Sequence, residues 1–591
     1  MYTVSNLDIL GGCEQDMRQL VKYLKGYGLE SSIGPLFKLL EACFELVVPL
    51  VMARIIDIGI KNQDLSYILK LGAVLVGLGI LGLACSLTAQ YFAAKASMGF
   101  GTALRRDLYA HINSFSYSEL DEVGTSTLVT RMTSDINQVQ TGVNLLLRLF
   151  SRSPFIVVGA VVMAFTINAK ITVIFLVATL VLALVIYGIM LLTMPIYKRL
   201  QGMLDKVSLI TRNNLVGARV IRAFGGQEEE VEEFTQASNG LRTTQLLAGR
   251  ISGLLNPLTY MFVNLAIVLI IWQGGYQVFD GKITQGEVIA LVNYMSQILI
   301  ALLALSNLIV AVTKATASAS RINDVFRIQT SMEEGRKKEG TSDSFKVEFD
   351  QVSFTYQGAR MESLSNLSFQ AKTGDTIGII GGTGDGKSTL ISLIPRFYDA
   401  TKGQVKVDGV DVKDYTYEAL RNKVGVVLQK AVLFHGTIRE NMCYRKKDAT
   451  DEEIMKALEI AQAKEFVLAK KEGLDTVIEQ GGKNLSGGQR QRLTIARALV
   501  GSPEILILDD SSSALDFATD AALRKAIAKQ KDMTVFIVSQ RATSIKHATK
   551  IIVLEDGNIV GIGTHEELLN SCEEYKEICL SQLPKEEVEG K

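Results

Sequence analysis

The 591-residue sequence has no excess charge of either sign, few prolines and no paired cysteines. Its 62 Lys and Arg residues balance 62 Asp and Glu residues, which argues against a nucleic-acid partner, because such binding usually needs a basic excess. The six cysteines are scattered without a C-x-x-C pair, so they fit neither a disulfide framework nor a zinc site. With 48% hydrophobic residues and only 8 prolines, the chain is not mainly disordered.

Long apolar runs fill the first half of the chain. A helix needs roughly 20 apolar residues to cross a bilayer, and six runs reach that length, near 33–58, 68–94, 143–167, 170–195, 250–274 and 286–312. None shows the strict alternation of a β-strand. The sequence therefore predicts an α-helical transmembrane domain over residues 1–329 with six spans in a lipid bilayer, rather than a large soluble helical domain.

The distribution of Lys and Arg predicts the orientation of these spans. Basic residues are frequent before the first run and after the second and fourth, and rare in the other connections. The positive-inside rule then places both termini and the two long connections in the cytoplasm. These connections are predicted to be helices that extend beyond the bilayer and fold back at tips near 115–124 and 214–226, with solvated loops as the alternative. Residues 18–28 are predicted to form an amphipathic helix at the inner interface.

Polar residues within the runs are candidates for a transport pathway. Asn293, Gln297 and Asn307 share a face of the sixth run, where they line an aqueous cavity or bond to another helix. Glu41 and Glu45 are four residues apart, and either attract cationic substrates or are neutralised by Lys or Arg of a neighbouring helix. Trp272 is predicted to be an interfacial anchor.

A polar, charged segment over 330–344 predicts a linker to a second domain over 345–584, followed by a loose tail over 585–591. This domain contains G-x-x-x-x-G-K-[ST] between a predicted strand and a predicted helix. Its residues, with the threonine that follows, are Gly381, Gly382, Thr383, Gly384, Asp385, Gly386, Lys387, Ser388 and Thr389.

The chemistry of that loop is nucleotide binding. Glycines let backbone N–H groups converge on a phosphate, Lys387 adds a point charge, and Ser388 is a ligand for Mg²⁺. Asp385 is an unexpected anion in an anion site, and it should cost some affinity unless its side chain points away. Further on, an apolar strand ends in Asp509, which places a carboxylate beside the same Mg²⁺. An α/β P-loop NTPase domain is therefore predicted.

Between these two motifs lies LSGGQ, at Leu485–Gln489. With it, the chain resembles the ABC exporters, specifically a half-transporter in which six membrane spans precede one ABC-type nucleotide-binding domain. The resemblance implies ATP and Mg²⁺ as cofactors, ATP hydrolysis coupled to transport, and a dimer. It also implies the plasma membrane of a bacterium, with both termini and the nucleotide-binding domain in the cytoplasm.

Individual roles follow from the resemblance. Tyr356 stacks on adenine, Gln429 contacts Mg²⁺ and couples to the membrane domain, and Glu479 contacts the intracellular loops. The segment 513–516 crosses between the two nucleotide sites. The residues that contact the ATP held by the opposite subunit are Ser486, Gly487, Gly488 and Gln489.

Two positions depart from the family pattern. Exporters of this family normally follow the strand-terminal aspartate with Glu, which polarises the attacking water, and carry His after the next strand. Here these residues are Asp510 and Gln540. Because Asp is shorter, its oxygen falls short by about 1 Å, a misplacement that costs roughly 10²-fold in rate. The chain therefore resembles the degenerate-site subunit of a heterodimer, with a second ABC half-transporter as partner; a slow homodimer is the alternative.

The substrate class is the least constrained prediction. Amphipathic or hydrophobic small molecules, as in multidrug exporters, are favoured, and a peptide or lipid exporter of the same architecture is the alternative. The six apolar runs exclude a soluble ABC ATPase.

Overall fold

The computed structural model describes residue 17 and residues 19–341, 345–511, 514–585 and 588. Predictions for Arg18, residues 342–344, Ser513 and most of 585–591 lie outside these residues. The chain divides into two compact units, one formed by Met1–Asn113 with Thr125–Ile328 and the other by Ser114–Gly124 with Gln329–Lys591. The short segment Ser114–Gly124 thus groups with the second unit, although it lies between helices of the first.

The first unit is built from helices. Capping side chains mark several of their starts: the Asn168 carboxamide accepts N–H groups of Lys170 and Ile171, and Thr284 with Glu287 forms a capping box. The α-helices are α1 (Gly28–Arg54), α2 (Leu65–Asn113), α4 (Thr125–Thr130), α5 (Ile136–Leu149), α6 (Arg152–Ile167), α7 (Ala169–Val216), α8 (Ala218–Phe224), α9 (Gln227–Gly253), α10 (Leu255–Phe279) and α11 (Gln285–Arg327), and α3 (Tyr117–Val123) belongs to the second unit. A 3₁₀ helix spans Val21–Tyr27, and π-helical turns span Ile55–Ile60 and Arg131–Asp135.

Several of these helices are longer than a bilayer is thick. Helix α2 has 49 residues, which at 1.5 Å per residue is about 74 Å, against ~30 Å of hydrocarbon. Helices α7 and α11 have 48 and 43 residues. The two predicted connections, 95–142 and 196–249, consist mainly of helix with short breaks, and their continuation beyond a membrane stays a prediction.

Five helical segments of the described chain are long and apolar enough to cross a membrane: Leu65–Asn113, Thr125–Ile167, Ala169–Val216, Gln227–Phe279 and Gln285–Arg327. The first predicted span falls on α1 and the π-helical turn after it, and is not among the five. Helix α1 differs from them because it carries Lys38, Glu41 and Glu45 in its middle.

Small residues bring the helices of the first unit together. Ala89, Ala93, Ala160 and Ala164 are fully buried, and such residues allow membrane helices to approach closely. The Tyr294 hydroxyl donates to the Leu46 carbonyl at 2.7 Å, which joins α11 to α1. Many large apolar side chains, for example those of α7, remain exposed on the surface, as expected for helices that face lipid.

The predicted amphipathic segment before α1 is a 3₁₀ helix in its described part. Leu20 and Tyr23 are buried, and the Tyr23 ring meets Phe100 of α2 edge-on with centroids 6.3 Å apart. One side of this segment therefore packs on the first unit.

The second unit has two main β-sheets. Strands β1 (Val347–Phe354), β2 (Leu364–Ala371), β4 (Lys402–Val407) and β5 (Val410–Asp411) form an antiparallel sheet. Strands β3 (Thr376–Gly381), β6 (Val424–Val427), β9 (Ile505–Asp509), β10 (Thr534–Val538), β11 (Lys550–Glu555) and β12 (Asn558–Gly563) form a second sheet in the order β12-β11-β3-β10-β9-β6, with β12 antiparallel and the rest parallel. A short antiparallel pair is formed by β7 (Gly436–Thr437) and β8 (Val477–Ile478).

Helices pack around the parallel sheet, whose strands β3, β9, β10 and β11 are almost wholly buried, as strands covered on both faces are. The helices of the second unit that follow β3 are α12 (Lys387–Leu393), α13 (Tyr417–Lys423), α14 (Ile438–Met442), α15 (Asp451–Ile460), α16 (Lys464–Leu468), α17 (Gly487–Leu499), α18 (Phe517–Ile527), α19 (Ala542–Ile545), α20 (His565–Ser571) and α21 (Glu573–Gln582), with 3₁₀ turns at Gly473–Asp475 and Gln480–Gly482. This is the predicted α/β P-loop architecture.

The described part of the predicted linker, 330–341, is irregular but held to the second unit. The Gly335 N–H donates to the Tyr415 carbonyl at 3.1 Å, and the Lys337 N–H donates to the Asp414 carbonyl at 2.8 Å. Its conformation is thus fixed by main-chain bonds to the loop after β5.

Candidate nucleotide site

The parallel sheet aligns the carboxyl ends of four neighbouring strands. The phosphate-loop residues follow β3, Gln429 follows β6, Asp509 ends β9 and Gln540 follows β10. Ligands of open α/β sheets bind at this edge. A cavity of about 270 Å³ lies there, lined by Tyr356, Ser363, Thr383, Gly384, Gly386, Lys387, Ser388, Thr389, Gln429, Asp509, Asp510, Val538 and Gln540. Folding thus brings together residues that are up to 184 positions apart, as 540 minus 356 gives.

The phosphate loop has the backbone that its glycines permit. Gly384 and Gly386 have φ angles of +103° and +86°, a region that side chains disfavour. A Cβ at Gly386 would lie 2.6 Å from the Ser363 carbonyl oxygen. A larger residue at this position would therefore deform the loop.

Lys387 is the cation of the cavity. Its Nζ donates to the carbonyl oxygens of Gly381, at 3.1 Å, and Gly382. Burial lowers the pKa of Lys387, and the charges of Asp385, Asp509 and Asp510 oppose that shift. The ammonium is thus held in place by weak neutral acceptors, which an anion would outcompete.

The Asp385 carboxylate lies beside the first two glycines of the loop, since a Cβ at Gly381 would be 2.7 Å from its Oδ2. Its Oδ1 accepts the backbone N–H of Asp556 at 3.4 Å, and it is absent from the residues that line the cavity. The unexpected carboxylate therefore lies outside the cavity lining, with Oδ1 toward the turn between β11 and β12 and Oδ2 beside Gly381 and Gly382.

Ser388 and Asp509 are adjacent, as the motif spacing predicts. The Ser388 hydroxyl donates to Oδ1 of Asp509 at 3.1 Å. Burial raises the pKa of Asp509, the Ser388 hydrogen bond and Lys387 lower it, and Asp510 raises it. A hydroxyl, a carboxylate and the Gln429 amide at one edge of the cavity form an oxygen donor set of the kind that Mg²⁺ prefers. The residues present therefore fit the metal.

Asp510 has an unusual backbone. Its φ angle is +42°, and its N–H donates to the Val538 carbonyl at 3.0 Å, which ties it to β10. Burial raises the pKa of the Asp510 carboxyl, and a hydrogen bond from Gln429 and the charges of Arg541 and Lys387 lower it. Gln429, Asp510 and Gln540 all line the cavity, and Gln429 and Asp510 are joined by a hydrogen bond.

Tyr356 also lines the cavity. Its hydroxyl is 3.0 Å from the Thr389 hydroxyl, and its ring is packed edge-on against Phe354 and Tyr398. Ser363 and Val538 also line the cavity and escaped the sequence analysis, because neither belongs to a motif. The signal for Val538 was its position at the end of a strand that directly precedes Gln540.

The LSGGQ residues lie elsewhere in the unit. Ser486 caps α17 through a capping box with Gln489, Gly487 and Gly488 form the first turn of the helix, and none of them lines the cavity. Asp516 caps α18 by accepting the Thr519 N–H at 2.9 Å. The Glu479 N–H donates to the Asn484 carboxamide at 3.1 Å, and its side chain is exposed.

The first predicted tip forms a short helix that packs on the nucleotide unit. Helix α3 stacks Tyr117 on Phe397 with ring centroids 4.6 Å apart. Asp121 accepts the Tyr398 hydroxyl at 2.6 Å, and Glu122 accepts the Gln357 amide at 3.3 Å. Tyr398 also contacts Tyr356, which lines the cavity. The side chains of Tyr398 and Tyr356 therefore connect the tip to the cavity.

Glu119 fastens the start of that helix. Its carboxylate accepts the N–H of Ser116 at 2.7 Å and the N–H of Ser331 at 3.0 Å. Burial opposes ionisation, but these hydrogen bonds hold the pKa of Glu119 below its usual range. The tip is therefore bound to the chain that enters the nucleotide unit.

The acidic pair of the first unit is neutralised. Lys38 donates to Glu41 at 2.6 Å, and Arg152 of α6 donates to Glu45 at 2.8 Å. The structure supports the alternative in which basic side chains neutralise the pair, with one correction: the partner of Glu41 comes from its own helix, three residues earlier.

The three amide side chains of the sixth run have different surroundings: one is bonded to another helix and two are exposed. The Gln297 amide donates to the Glu45 carbonyl of α1 at 3.3 Å, which is the helix–helix bond of the two alternatives. Asn293 is exposed and donates to the Ile289 carbonyl of its own helix, and Asn307 is exposed. Trp272 is exposed near the end of α10, beside Tyr276.

Comparisons with known proteins match both units. Residues 32–303 match the ABC transporter transmembrane region, and residues 364–513 match the ABC transporter family. The chain is 39% identical over 573 residues to an uncharacterised ABC transporter ATP-binding protein of Bacillus subtilis (strain 168), covering 96% of this chain and 99% of that one. It is 31% identical over 535 residues to the ATP-dependent lipid A-core flippase of Escherichia coli (strain K12), covering 90% and 91%.

A solved structure has the same fold. The structure of a bacterial Atm1-family ABC exporter with ATP bound superposes with a TM-score of 0.77 at 23% identity, covering 94% of this chain and 98% of that one. Together with the membrane-spanning helices, the matches indicate a bacterial membrane protein. The chain belongs to the ABC transporter family and is an ATP-driven exporter subunit that joins a membrane domain to a nucleotide-binding domain.

Proposed function

We propose that this chain is one half of a dimeric exporter that moves amphipathic small molecules of the multidrug type out of the cytoplasm. The separation of the LSGGQ residues from the cavity that contains Lys387 supports the dimeric part of the proposal. If each ATP is held between one chain's phosphate loop and the other chain's signature, a single chain holds two half-sites. Two chains are then required to close around nucleotide.

Each residue of the cavity has a role in this proposal. Lys387 exchanges the carbonyls of Gly381 and Gly382 for phosphate oxygens, and backbone N–H groups of the loop hold the β-phosphate. Tyr356 moves from Thr389 onto the adenine ring. Ser388, Gln429 and Asp509 would hold Mg²⁺, which when bound neutralises charge on the transferring phosphoryl group.

Asp510 and Gln540 make the proposed site weak in hydrolysis. Asp510 would have to orient the attacking water with a side chain one methylene shorter than Glu, and Gln540 cannot bring a positive charge to the γ-phosphate. We therefore propose a heterodimer in which the partner supplies the usual Glu and His. The competent site would then consist of the partner's phosphate loop and Ser486–Gln489 of this chain, and a slow homodimer is the alternative.

The two tips would transmit the closure of the two nucleotide-binding domains around ATP to the membrane helices. The nucleotide-binding domain and both termini would lie in the cytoplasm. The first tip already packs on the nucleotide unit of its own chain through Tyr117, Asp121 and Glu122. The second tip exposes Val216 and Phe224, with 82% and 87% of their surfaces accessible. Apolar side chains this exposed are suited to a protein contact, which we assign to the nucleotide unit of the partner.

A lipid exporter is the second candidate. It is favoured by the 31% identity to a relative named as an ATP-dependent lipid A-core flippase. Neutralisation of Glu41 and Glu45 also removes one argument for cationic substrates.

The two candidates differ in what stimulates ATP hydrolysis. ATPase activity of the purified complex in lipid nanodiscs would be titrated with amphipathic dyes, with lipids and with peptides. Stimulation by several unrelated dyes supports the multidrug proposal. Stimulation confined to one lipid class, with dyes inert, would replace it with a lipid exporter, and stimulation by peptides alone with a peptide exporter.

A further inference from the structure

The nucleotide unit contains a second cavity, of about 430 Å³, on the flank of the parallel sheet. It lies between α18 and the segment formed by α19 and the residues after it. Thr376 of β3 and Ile537 of β10 form part of its wall. No residue of this cavity lines the nucleotide site, so the two cavities are separate. Its volume is within the range of roughly 300–1,000 Å³ that small-molecule sites occupy.

The polar part of the lining is basic. Arg524, Lys525, Lys546 and His547 border the cavity, and no acidic side chain is among the described residues that line it. Arg524 is already engaged: it pairs with Asp520 at 2.9 Å and donates to the Thr543 carbonyl at 2.7 Å. Among the described residues, no carboxylate forms an ion pair with Lys525 or Lys546, so two ammonium groups at this cavity lack an anion.

A buried hydroxyl adds a second, independent observation. Ser544 is 5% exposed and lines the cavity, and its Oγ has no hydrogen-bond partner within the described part of the chain. A buried hydroxyl without a partner is unfavourable, and an acceptor on a ligand would remove that cost. The remaining wall is apolar, with Ile527, Ala528 and Ile537.

We propose that this cavity binds a small organic anion that carries a carboxylate on an apolar body. The carboxylate lies between Lys525 and Lys546 and accepts the Ser544 hydroxyl, and the apolar body lies against Ile527, Ala528 and Ile537. Lys525 is exposed and Lys546 partly exposed, and a carboxylate is favoured over a neutral acceptor because its hydrogen bonds to ammonium groups are stronger.

The position of the cavity gives such a ligand a route to the nucleotide site. Helix α18 begins directly after Asp516, and α19 begins two residues after Gln540. The Arg541 guanidinium lies 5.3 Å from the centre of the Phe517 ring, so the starts of the two helices are already in contact. A ligand between the two helices would link their movements.

The binding experiment uses the purified full-length transporter in lipid nanodiscs, with 2-naphthoate as the probe and neutral 2-naphthamide as its matched control. Hydrogen exchange is followed by mass spectrometry in peptides that cover residues 517–530 and 541–549. We expect 2-naphthoate to slow exchange in both peptides in a saturable manner and 2-naphthamide to leave it unchanged. ATP hydrolysis is not needed for this readout, so its result is independent of the proposed transport function.

Variants identify the site. Lys525→Gln combined with Lys546→Gln should raise the half-saturating probe concentration about tenfold or more, because two charged donors are lost. Ser544→Ala should raise it several-fold with both lysines intact, which provides a test should the double variant fold poorly. Lys529→Gln removes an equal charge from an exposed residue that does not line this cavity, and should leave binding unchanged.

Three outcomes would overturn the proposal. They are no protection at saturating probe, equal protection by 2-naphthamide, or protection that persists unchanged in the lysine double variant.

Discussion

Glu41 and Glu45 show how the role of a side chain depends on its neighbours. In sequence they are an acidic pair inside an apolar run, a pattern that is compatible with cation transport. In the structure each carboxylate has its own cation, Lys38 or Arg152. Because Lys38 is only 6% exposed, its charge depends on Glu41 for compensation.

The first prediction follows from these ion pairs. Glu41→Gln with Glu45→Gln should lower the thermal unfolding midpoint and reduce export of cationic and neutral dyes alike, because Lys38 is buried and loses its carboxylate. Removing one partner of a buried pair costs about 3–5 kcal/mol, and the more exposed pair of Glu45 with Arg152 contributes less. Thermal scans and transport assays with both dye classes are the measurement. Lys38→Met with Glu41→Leu is the control, because removing both charges should restore much of the stability. Selective loss of cationic dye export at unchanged stability would contradict it.

Gln429 is the subject of the second prediction. It lines the nucleotide cavity and its hydrogen bond lowers the pKa of Asp510. Gln429→Ala should reduce ATP-driven transport several-fold more than ATP affinity, because adenine and phosphate contacts remain. Its removal should also raise the pKa of Asp510 further, since one group that stabilises the ionised form is lost.

The measurement compares transport rate with ATP affinity in the same preparation. Lys430→Ala, at the next position and outside the cavity lining, is the matched control and should change neither. Loss of ATP binding in Gln429→Ala would show that Gln429 binds the nucleotide and does not serve mainly to couple ATP hydrolysis to transport.

At the scale of elements, α3 is the clearest case of a segment whose partners are remote in sequence. It has seven residues and is too short to be stable alone. Its capping box, the Glu119 bonds to Ser116 and Ser331, and the stack of Tyr117 on Phe397 hold it on the nucleotide unit. The path from Asp121 through Tyr398 to Tyr356 is a physical connection between this helix and the nucleotide cavity.

The third prediction tests that connection with a double-mutant cycle of Tyr398→Phe and Asp121→Ala. Each single variant should reduce ATP-dependent transport, and the double variant should be no worse than the poorer single one, because they remove the same hydrogen bond. A coupling energy of about 0.5–3 kcal/mol is expected for groups in contact. Transport rates of the three variants give this energy.

Gln357→Ala is the control for the cycle. It removes the 3.3 Å contact with Glu122, an exposed hydrogen bond on the same helix, and should have a smaller effect. Additive losses from Tyr398→Phe and Asp121→Ala would mean that the two residues act separately.

At the scale of the whole molecule, the fourth prediction concerns the proposed degenerate site. In the complex with its partner, Asp510→Ala should barely change ATPase activity, whereas Gly488→Asp should abolish it, because the signature of this chain completes the partner's site. Asp510→Glu with Gln540→His should raise ATPase activity, because both positions then carry the residues that are usual in the family. Steady-state ATPase assays of the complex and of this chain alone are the measurement.

Two outcomes would count against the heterodimer. One is robust ATPase activity from this chain purified without a partner. The other is a large loss of activity in Asp510→Ala, which would show that hydrolysis occurs at its own site. Lys387→Ala serves as a reference variant that removes the cation of this chain's own nucleotide cavity.

The nucleotide site was the part of the protein most completely predicted from sequence. The phosphate loop is a contiguous motif, so Lys387 and Ser388 were assigned from local order, and Asp509 from its place at the end of an apolar strand. Parallel strands align their carboxyl ends, which is why residues over 100 positions apart were expected at one cavity and are found there. The apolar runs likewise predicted a helical membrane domain from composition and length.

Tertiary structure decided what depends on contacts between distant residues. The turning of Asp385 toward Asp556, the pairing of Glu45 with Arg152, and the grouping of α3 with the nucleotide unit each require a partner that no local pattern specifies. The sequence by itself determined which chemical groups the chain carries and which segments are helix or strand, because periodicity and motif spacing are local properties. Which charges are neutralised, and which helix is joined to the nucleotide site, depended on long-range packing, because burial brings together groups that the sequence separates.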